Sequence, residues 1–140
     1  MSRSVSRSVV VPAPPSQVFD LLADPRRHAE IDGSGTVKGQ VKGPARLSQG
    51  AKFGMRMRLG LPYVITSEVV EFEQDRRIAW RHVGHHVWRY ELEPVDGGTR
   101  VTETFDWAPA RAPRALELLK VPARNLRGIE GTLERLQKAF

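Results

Sequence analysis

The chain has 140 residues, 40% apolar and 27% charged, with 22 Lys and Arg against 16 Asp and Glu, a net charge of +6. One domain over residues 1–140 with one core is expected; the absence of cysteine excludes disulfides, thiolate chemistry and sulfur-bound zinc. No apolar run reaches membrane-spanning length, and the valines before Pro12 are too few for a secretory h-region. The cytoplasm is the expected compartment. A basic balance suits an anionic partner, nucleic acid or a lipid headgroup, but without a motif it reads first as a solvated surface.

Ser4 to Val11 is valine-rich and reads as a first strand. Ala13-Pro14-Pro15-Ser16 ends it and opens a helix, because a first helical turn accommodates proline. Val18, Leu21 and Leu22 give that helix its buried side. Asp24-Pro25 is an N-cap followed by a first-turn proline, so a second short helix is expected over about Pro25 to Ile31. Asp32-Gly33-Ser34-Gly35 is a turn. The spacing Gly33-x-Gly35-x-x-x-Gly39 is not a phosphate loop, since a helix precedes it and a strand follows, the reverse of the nucleotide fingerprint.

Thr36 to Lys42 is the second strand, and Gly43-Pro44 opens a loop that closes near Gly50. The third strand, Ala51 to Leu59, alternates: Phe53, Met55, Met57 and Leu59 face one way, Lys52, Arg56 and Arg58 the other. With Lys38 and Lys42 beside them, the outward side forms a basic patch. Gly60-Leu61-Pro62 turns the chain, and a fourth strand runs from Tyr63 to about Glu73, its inward face undecided by the pattern. Gln74-Asp75-Arg76 is the next turn.

Asp96-Gly97 between alternating runs predicts a two-residue hairpin turn. It sets Val95 against Gly98, Leu92 against Val101, Tyr90 against Glu103 and Trp88 against Phe105. Between the fifth and sixth strands a three-residue loop at Gly84-His85-His86 is preferred. It pairs Ile78 with Leu92, Trp80 with Tyr90 and His82 with Trp88, whereas a two-residue loop sets Trp80 against Arg89. Pro109 and Pro113 then break the chain before a helical piece from Arg114 to Lys120.

From Pro122 to Phe140, apolar residues fall at Pro122, Leu126, Ile129, Leu133, Leu136 and Phe140, one stripe of a helix. Lys120, Arg124, Arg127, Arg135 and Lys138 make its other face basic. Such a helix needs an apolar surface, and the sheet is the only large one available. Gly128 and Gly131 inside it each cost roughly 1 kcal/mol relative to alanine, and no role for them follows from the sequence.

This layout resembles the helix-grip fold of the START and birch-pollen-allergen superfamily, SRPBCC, and within it the bacterial polyketide cyclase/dehydrase-like lipid-transport family. The residues that carry the likeness are Val11-Pro12-Ala13-Pro14-Pro15-Ser16-Gln17-Val18-Phe19-Asp20-Leu21-Leu22-Ala23-Asp24-Pro25, Val69-Val70-Glu71-Phe72 with Arg76-Arg77-Ile78-Ala79-Trp80, and Leu92-Glu93-Pro94 with Gly97-Gly98-Thr99-Arg100-Val101-Thr102. The resemblance implies an α+β fold, a curved seven-stranded antiparallel sheet wrapped around a long C-terminal helix, with two short helices after the first strand. It also implies a deep cavity between sheet and helix, a hydrophobic ligand, and no cofactor.

The inferred register puts Phe53, Met55, Met57, Ile78, Trp80, Trp88, Tyr90, Leu92, Phe105 and Trp107 on the concave side, under Leu126, Ile129 and Leu133 of the helix. Aromatics and adaptable methionines suit a flat or irregular apolar ligand, and they equally suit a filled core. His82, Tyr90 and Glu103 are the polar residues of that face. A buried carboxylate wants a partner, and Tyr90 lies directly across from Glu103, with His82 expected on the diagonal. This trio is expected to orient a polar group of the ligand or to act as acid and base in a cyclisation or dehydration; a β-bulge turning Glu103 outward, or an arginine neutralising it, is the structural alternative. His82, His85 and His86 do not converge as metal ligands, since two sit in a turn and no carboxylate completes the set, so no metal is expected. The sequence thus points first to binding of a lipid or polyketide-like aromatic, second to a cyclase or dehydratase, and third to RNA or an anionic membrane held by Lys38, Lys42, Lys52, Arg56 and Arg58. A weak membrane contact fits the charge better than nucleic acid does.

Overall fold

Proline placement and side-chain alternation set the elements. A computed structural model describes residues 3–34, 37–82 and 84–140, with the side chains at 40, 41 and 59 outside that description. Gly35, Thr36 (the expected start of the second strand) and the side chain of Leu59, expected on the inward face, therefore lie outside the described residues. The chain runs β1 (Ser4–Val11), α1 (Pro15–Leu22), a 3-10 turn (Pro25–Arg27), α2 (His28–Ile31), β2 (Val37–Lys42), β3 (Lys52–Leu59), β4 (Leu61–Glu73), β5 (Arg77–Arg81), β6 (Val87–Val95), β7 (Gly98–Asp106), α3 (Pro113–Leu118) and α4 (Val121–Lys138). The Asp24 carboxylate accepts from the Arg26 N–H at 3.0 Å, which is the expected cap.

All seven strands join one antiparallel sheet in the order β1-β7-β6-β5-β4-β3-β2. The β6–β7 hairpin has the predicted register, with Tyr90 opposite Glu103 and Trp88 opposite Phe105. The β5–β6 register does not. Ile78 pairs with Tyr90 and Trp80 with Trp88, two residues away from the expected pairing, because the connection spans residues 82–86 rather than three. A shift of two keeps every side chain on its predicted face, so alternation cannot detect it. At the β3–β4 connection, Leu61 and Pro62 belong to β4, and the turn closes on Gly60 alone.

The helices α3 and α4 part at Lys120, whose backbone is left-handed (φ 58°). That conformation in a non-glycine residue, followed by Pro122, prevents one continuous helix. Along α4, Ile129, Thr132, Leu133 and Leu136 are buried. Phe140, part of the expected stripe, lies beyond the helix and is exposed. The helix runs in the same direction as β1: Glu130 meets Arg7, and the Gln137 side chain donates to the Val10 carbonyl at 2.8 Å. It lies over β1 and β7, one half of the sheet.

One of the two helix glycines, Gly131, now has a function. The Gly33 N–H donates to Thr132 Oγ1 at 2.9 Å, and an added Cβ on Gly33 would sit 2.3 Å from the Thr132 nitrogen and 2.6 Å from the Gly128 carbonyl oxygen. Conversely, a Cβ on Gly131 would meet the Gly33 Cα at 3.1 Å. Glycine faces glycine so that the loop before β2 can lie on the helix backbone. Arg135 completes the seam by donating to the Asp32 carbonyl at 3.0 Å.

Candidate functional site

Strand alternation delivers the concave face, and its aromatic residues meet edge to face or stacked. Trp80 contacts Phe53 (ring centroids 5.8 Å) and Tyr90 (5.6 Å), while Phe105 contacts Trp88 (4.9 Å) and Trp107 (5.7 Å). One member was missed by the sequence reading. His28 is buried, stacks on Trp80 at 4.9 Å and bonds through Nε2 to the Leu22 carbonyl at 2.8 Å. Burial holds its pKa below the ordinary value. No signal in the residues around Pro25 marks it, because a four-residue helix has no resolvable periodicity.

Burial is graded along this face. Toward the β6–β7 turn, Ile78, Leu92 and Val101 are sealed, and Tyr90 and Leu133 are buried beside them. Toward the opposite end, where β1 starts and β5 stops, Met57, Ile65, Trp88, Leu116 and Leu126 are only half-buried. Phe53, Met55, Trp80, Phe105 and Trp107 stay buried there, Met55 opposite Ile65 and Trp80 opposite Trp88, and Trp107 Nε1–H donates to Glu117 at 2.8 Å, pinning α3 to the end of β7. The end where β1 starts thus mixes buried aromatics with part-exposed apolar residues, and it is the more open end of the face.

Glu103 points inward and is 3% exposed. It is opposite Tyr90, whose phenol favours the charged carboxylate, while its Oε1 has no hydrogen-bond partner. Burial, with a smaller push from the negative charge of Asp32, raises its pKa to about 8, so the group is a neutral acid at pH 7. Burial and the same carboxyl push the Tyr90 phenol upward. Neither alternative for Glu103 applies: β7 carries no bulge there, and Arg7, the cross-strand neighbour on β1, turns to Glu130.

His82 does not join this pair. In the observed register it lies four residues along β5 from Ile78, the partner of Tyr90, about 13 Å away along the strand. Its Nδ1 instead bonds Ser67 Oγ at 2.6 Å, and its ring meets His86 at 5.2 Å. Desolvation, then repulsion from His86, lowers its pKa to about 3. The longer β5–β6 loop is the cause. His85 turns outward to the Arg111 guanidinium at 3.1 Å, and His86 packs against Phe105. Among the described residues no group of three or more His, Cys, Asp or Glu converges as a metal site.

Where β5 ends at Arg81, β4 continues from Ser67 to Leu61 with β3 as its strand partner. A cleft of about 230 Å³ opens beside this step, with Ser67, His82, Lys52 and Arg81 on its walls. A second, of about 390 Å³, lies over the far ends of β5, β6 and β7 among Arg76, Arg77, Glu91 and Arg100. Lys38, Lys42, Lys52, Arg56 and Arg58, the predicted basic patch, are all exposed.

A curved antiparallel sheet gripping a long C-terminal helix, with short helices after the first strand, defines a helix-grip protein of the SRPBCC kind. The same architecture recurs in a crystal structure of a Rhodobacter sphaeroides protein, with TM-score 0.75 at 17% identity over 99% of this chain and 92% of that one. It recurs also in the solution structure of the polyketide-cyclase-like protein Cgl2372 of Corynebacterium glutamicum (TM-score 0.70, 24% identity, 99% and 91% covered). The chain belongs to the polyketide cyclase/dehydrase and lipid transport family, whose model matches residues 2–140. It is also similar to the uncharacterized protein Rv0088 of Mycobacterium tuberculosis, 46% identical over 97% of this chain. The chain spans 63% of that relative's length. Among the described residues no helix is long and apolar enough to cross a membrane.

Proposed function

We propose that this chain binds a hydrophobic small molecule, lipid or polyketide-like, between the open end of the concave face and the first turns of α4. The graded burial carries this reading. Met57, Ile65, Trp88, Leu116 and Leu126 stay only half-buried beside the buried Trp80, Phe105 and Trp107, a contiguous group of part-exposed apolar residues that a ligand would cover. One residue pair below Trp88 and Phe105, about 7 Å along the strands, waits the unpaired Oε1 of Glu103. A ligand hydroxyl reaching it would satisfy the one buried side-chain oxygen left without a partner among the described residues.

Tryptophan fluorescence tests the idea, because Trp88 stands at the opening. Apolar ligands should perturb the emission and raise the melting temperature. The substitution Leu126→Arg, on a half-buried position, should abolish the response while the far-UV dichroism is kept. A protein that answers no hydrophobic compound, or a Leu126→Arg variant that binds as before, sinks the reading.

The same carboxyl favours a second reading, an acid catalyst of cyclisation or dehydration, since Glu103 keeps its proton at pH 7 and Tyr90 orients it. Turnover would then fall by about a hundredfold or more on Glu103→Gln while binding survives. Equal turnover in the variant removes it.

A further inference from the structure

We propose that the open end of the molecule docks on an anionic lipid bilayer. The topology places three separate pieces of chain at this end. α4 starts beside the first residues of β1, and α3 is tied there by the ion pair of Arg3 and Glu117 at 3.2 Å. That end of β1 pairs with Asp106 of β7, which pairs with Val87 of β6, which pairs with Arg81 of β5, which pairs with Glu68 of β4. Beyond Glu68 the β3–β4 hairpin continues for seven residues to Leu61, projecting past the end of β5 by about 20 Å.

The apolar surface concentrates at this end. Of the seven exposed large apolar residues among those described, five lie here: Leu61, Tyr63 and Val64 on the hairpin, Leu118 and Leu119 at the corner between α3 and α4. Leu118 is 82% exposed, Leu119 74% and Leu61 79%. The left-handed backbone at Lys120 turns the chain immediately after the two leucines.

Charge follows the same division. At the opposite end the cations are answered locally: Arg76 by Glu73, Arg77 by Glu91, Arg100 by Glu93 and Lys138 by Glu134. At the open end Arg56 and Arg58 on the hairpin, and Arg114, Lys120 and Arg124 around the corner, make no ion pair among the described residues. Paired leucines ringed by unanswered cations match a bilayer surface, which offers acyl chains below and anionic headgroups around them. Nucleic acid would use the cations and leave the leucines idle. Because half-buried Trp88 and Leu126 lie at the same end, docking would bring the proposed ligand site to the membrane, although the surface stands without that site.

The test is sedimentation with vesicles of phosphatidylcholine alone and of equal parts phosphatidylcholine and phosphatidylglycerol. The protein should bind the second and not the first, and added salt should weaken binding, since each cation near the surface is worth about fivefold. Leu118→Ser with Leu119→Ser should lower partitioning by roughly tenfold or more, with melting temperature and response to soluble apolar ligands unchanged. A separate charge variant, Arg56→Gln with Arg58→Gln, should lose affinity for the mixed vesicles alone. Four outcomes overturn the proposal: no binding to mixed vesicles, binding indifferent to the two leucines, single-stranded RNA bound in place of vesicles, or dimerisation lost on replacing the leucines without vesicle binding, which would assign the patch to a second copy. None of these outcomes touches ligand binding in free solution, so the two readings fail separately.

Discussion

Replacing Glu103 by glutamine should remove a fall in stability that the natural protein shows above neutral pH. The carboxyl titrates at an ordinary 4.5 when unfolded and at about 8 when folded. A raised folded value means the native state holds the proton more tightly, so the contribution is complete below 4.5 and is lost as the pH climbs to 8. Each unit of that window is worth about 1.4 kcal/mol, and the whole of it about 5 kcal/mol as an upper figure. His28, His82 and His86 act in the opposite sense. Burial lowers all three below 6.5, so their contribution is complete above that value and lost as the pH falls. Between pH 6.5 and 8 the histidines oppose Glu103 only through their last half proton in the unfolded chain, and they cancel between natural protein and variant, so the natural protein should lose about 2 kcal/mol relative to Glu103→Gln there. Urea unfolding at these two pH values, for the natural protein and for Glu103→Gln, measures the difference of slopes. The amide has its own hydrogen-bonding cost, but that cost does not depend on pH and cancels. Parallel curves would refute the argument and show that the carboxyl is solvated or paired in the native state.

Two alanine substitutions at the loop–helix seam should differ in sign. Gly128→Ala, whose Cβ meets Ser34 at an ordinary 3.6 Å, should stabilise by about 1 kcal/mol through helix propensity, measured as a rise in urea midpoint. Gly33→Ala, driven into the α4 backbone, should destabilise by about 3 kcal/mol, and equal effects at the two positions would disprove the seam. His82 should stay neutral in a proton NMR titration from pH 8 to about pH 4, because its pKa is about 3, while its share of stability is lost progressively from pH 6.5 down to that value. Titration close to 6.5 would show that water reaches the ring.

Local chemistry was legible because its causes are local. Asp96-Gly97 dictates a two-residue turn, and that turn carries the pairing of Tyr90 with Glu103 five residues along each strand from the closing pair Val95–Gly98. Prolines mark the starts of α1, α3 and α4, and Asp24 caps the turn after α1. Alternation put Trp88, Tyr90, Glu103 and Phe105 on one face, and they are there. Distances between segments were less accessible. His82 was expected beside Glu103, but the five-residue connection moves it two positions up the strand, a shift that leaves the face pattern unaltered.

By itself, then, the sequence determined the element order, the inward face of β3, β5, β6 and β7, and the carboxyl isolated among aromatics. Only the tertiary structure decided the inward face of β4, how far β4 outreaches β5, why Gly131 interrupts α4, and which end of the concave face is the more open. Those properties belong to contacts between residues far apart in the chain, such as Gly33 on Thr132 and Arg3 on Glu117. Periodicity records which way a side chain points; it carries no information about what another part of the chain sets against it.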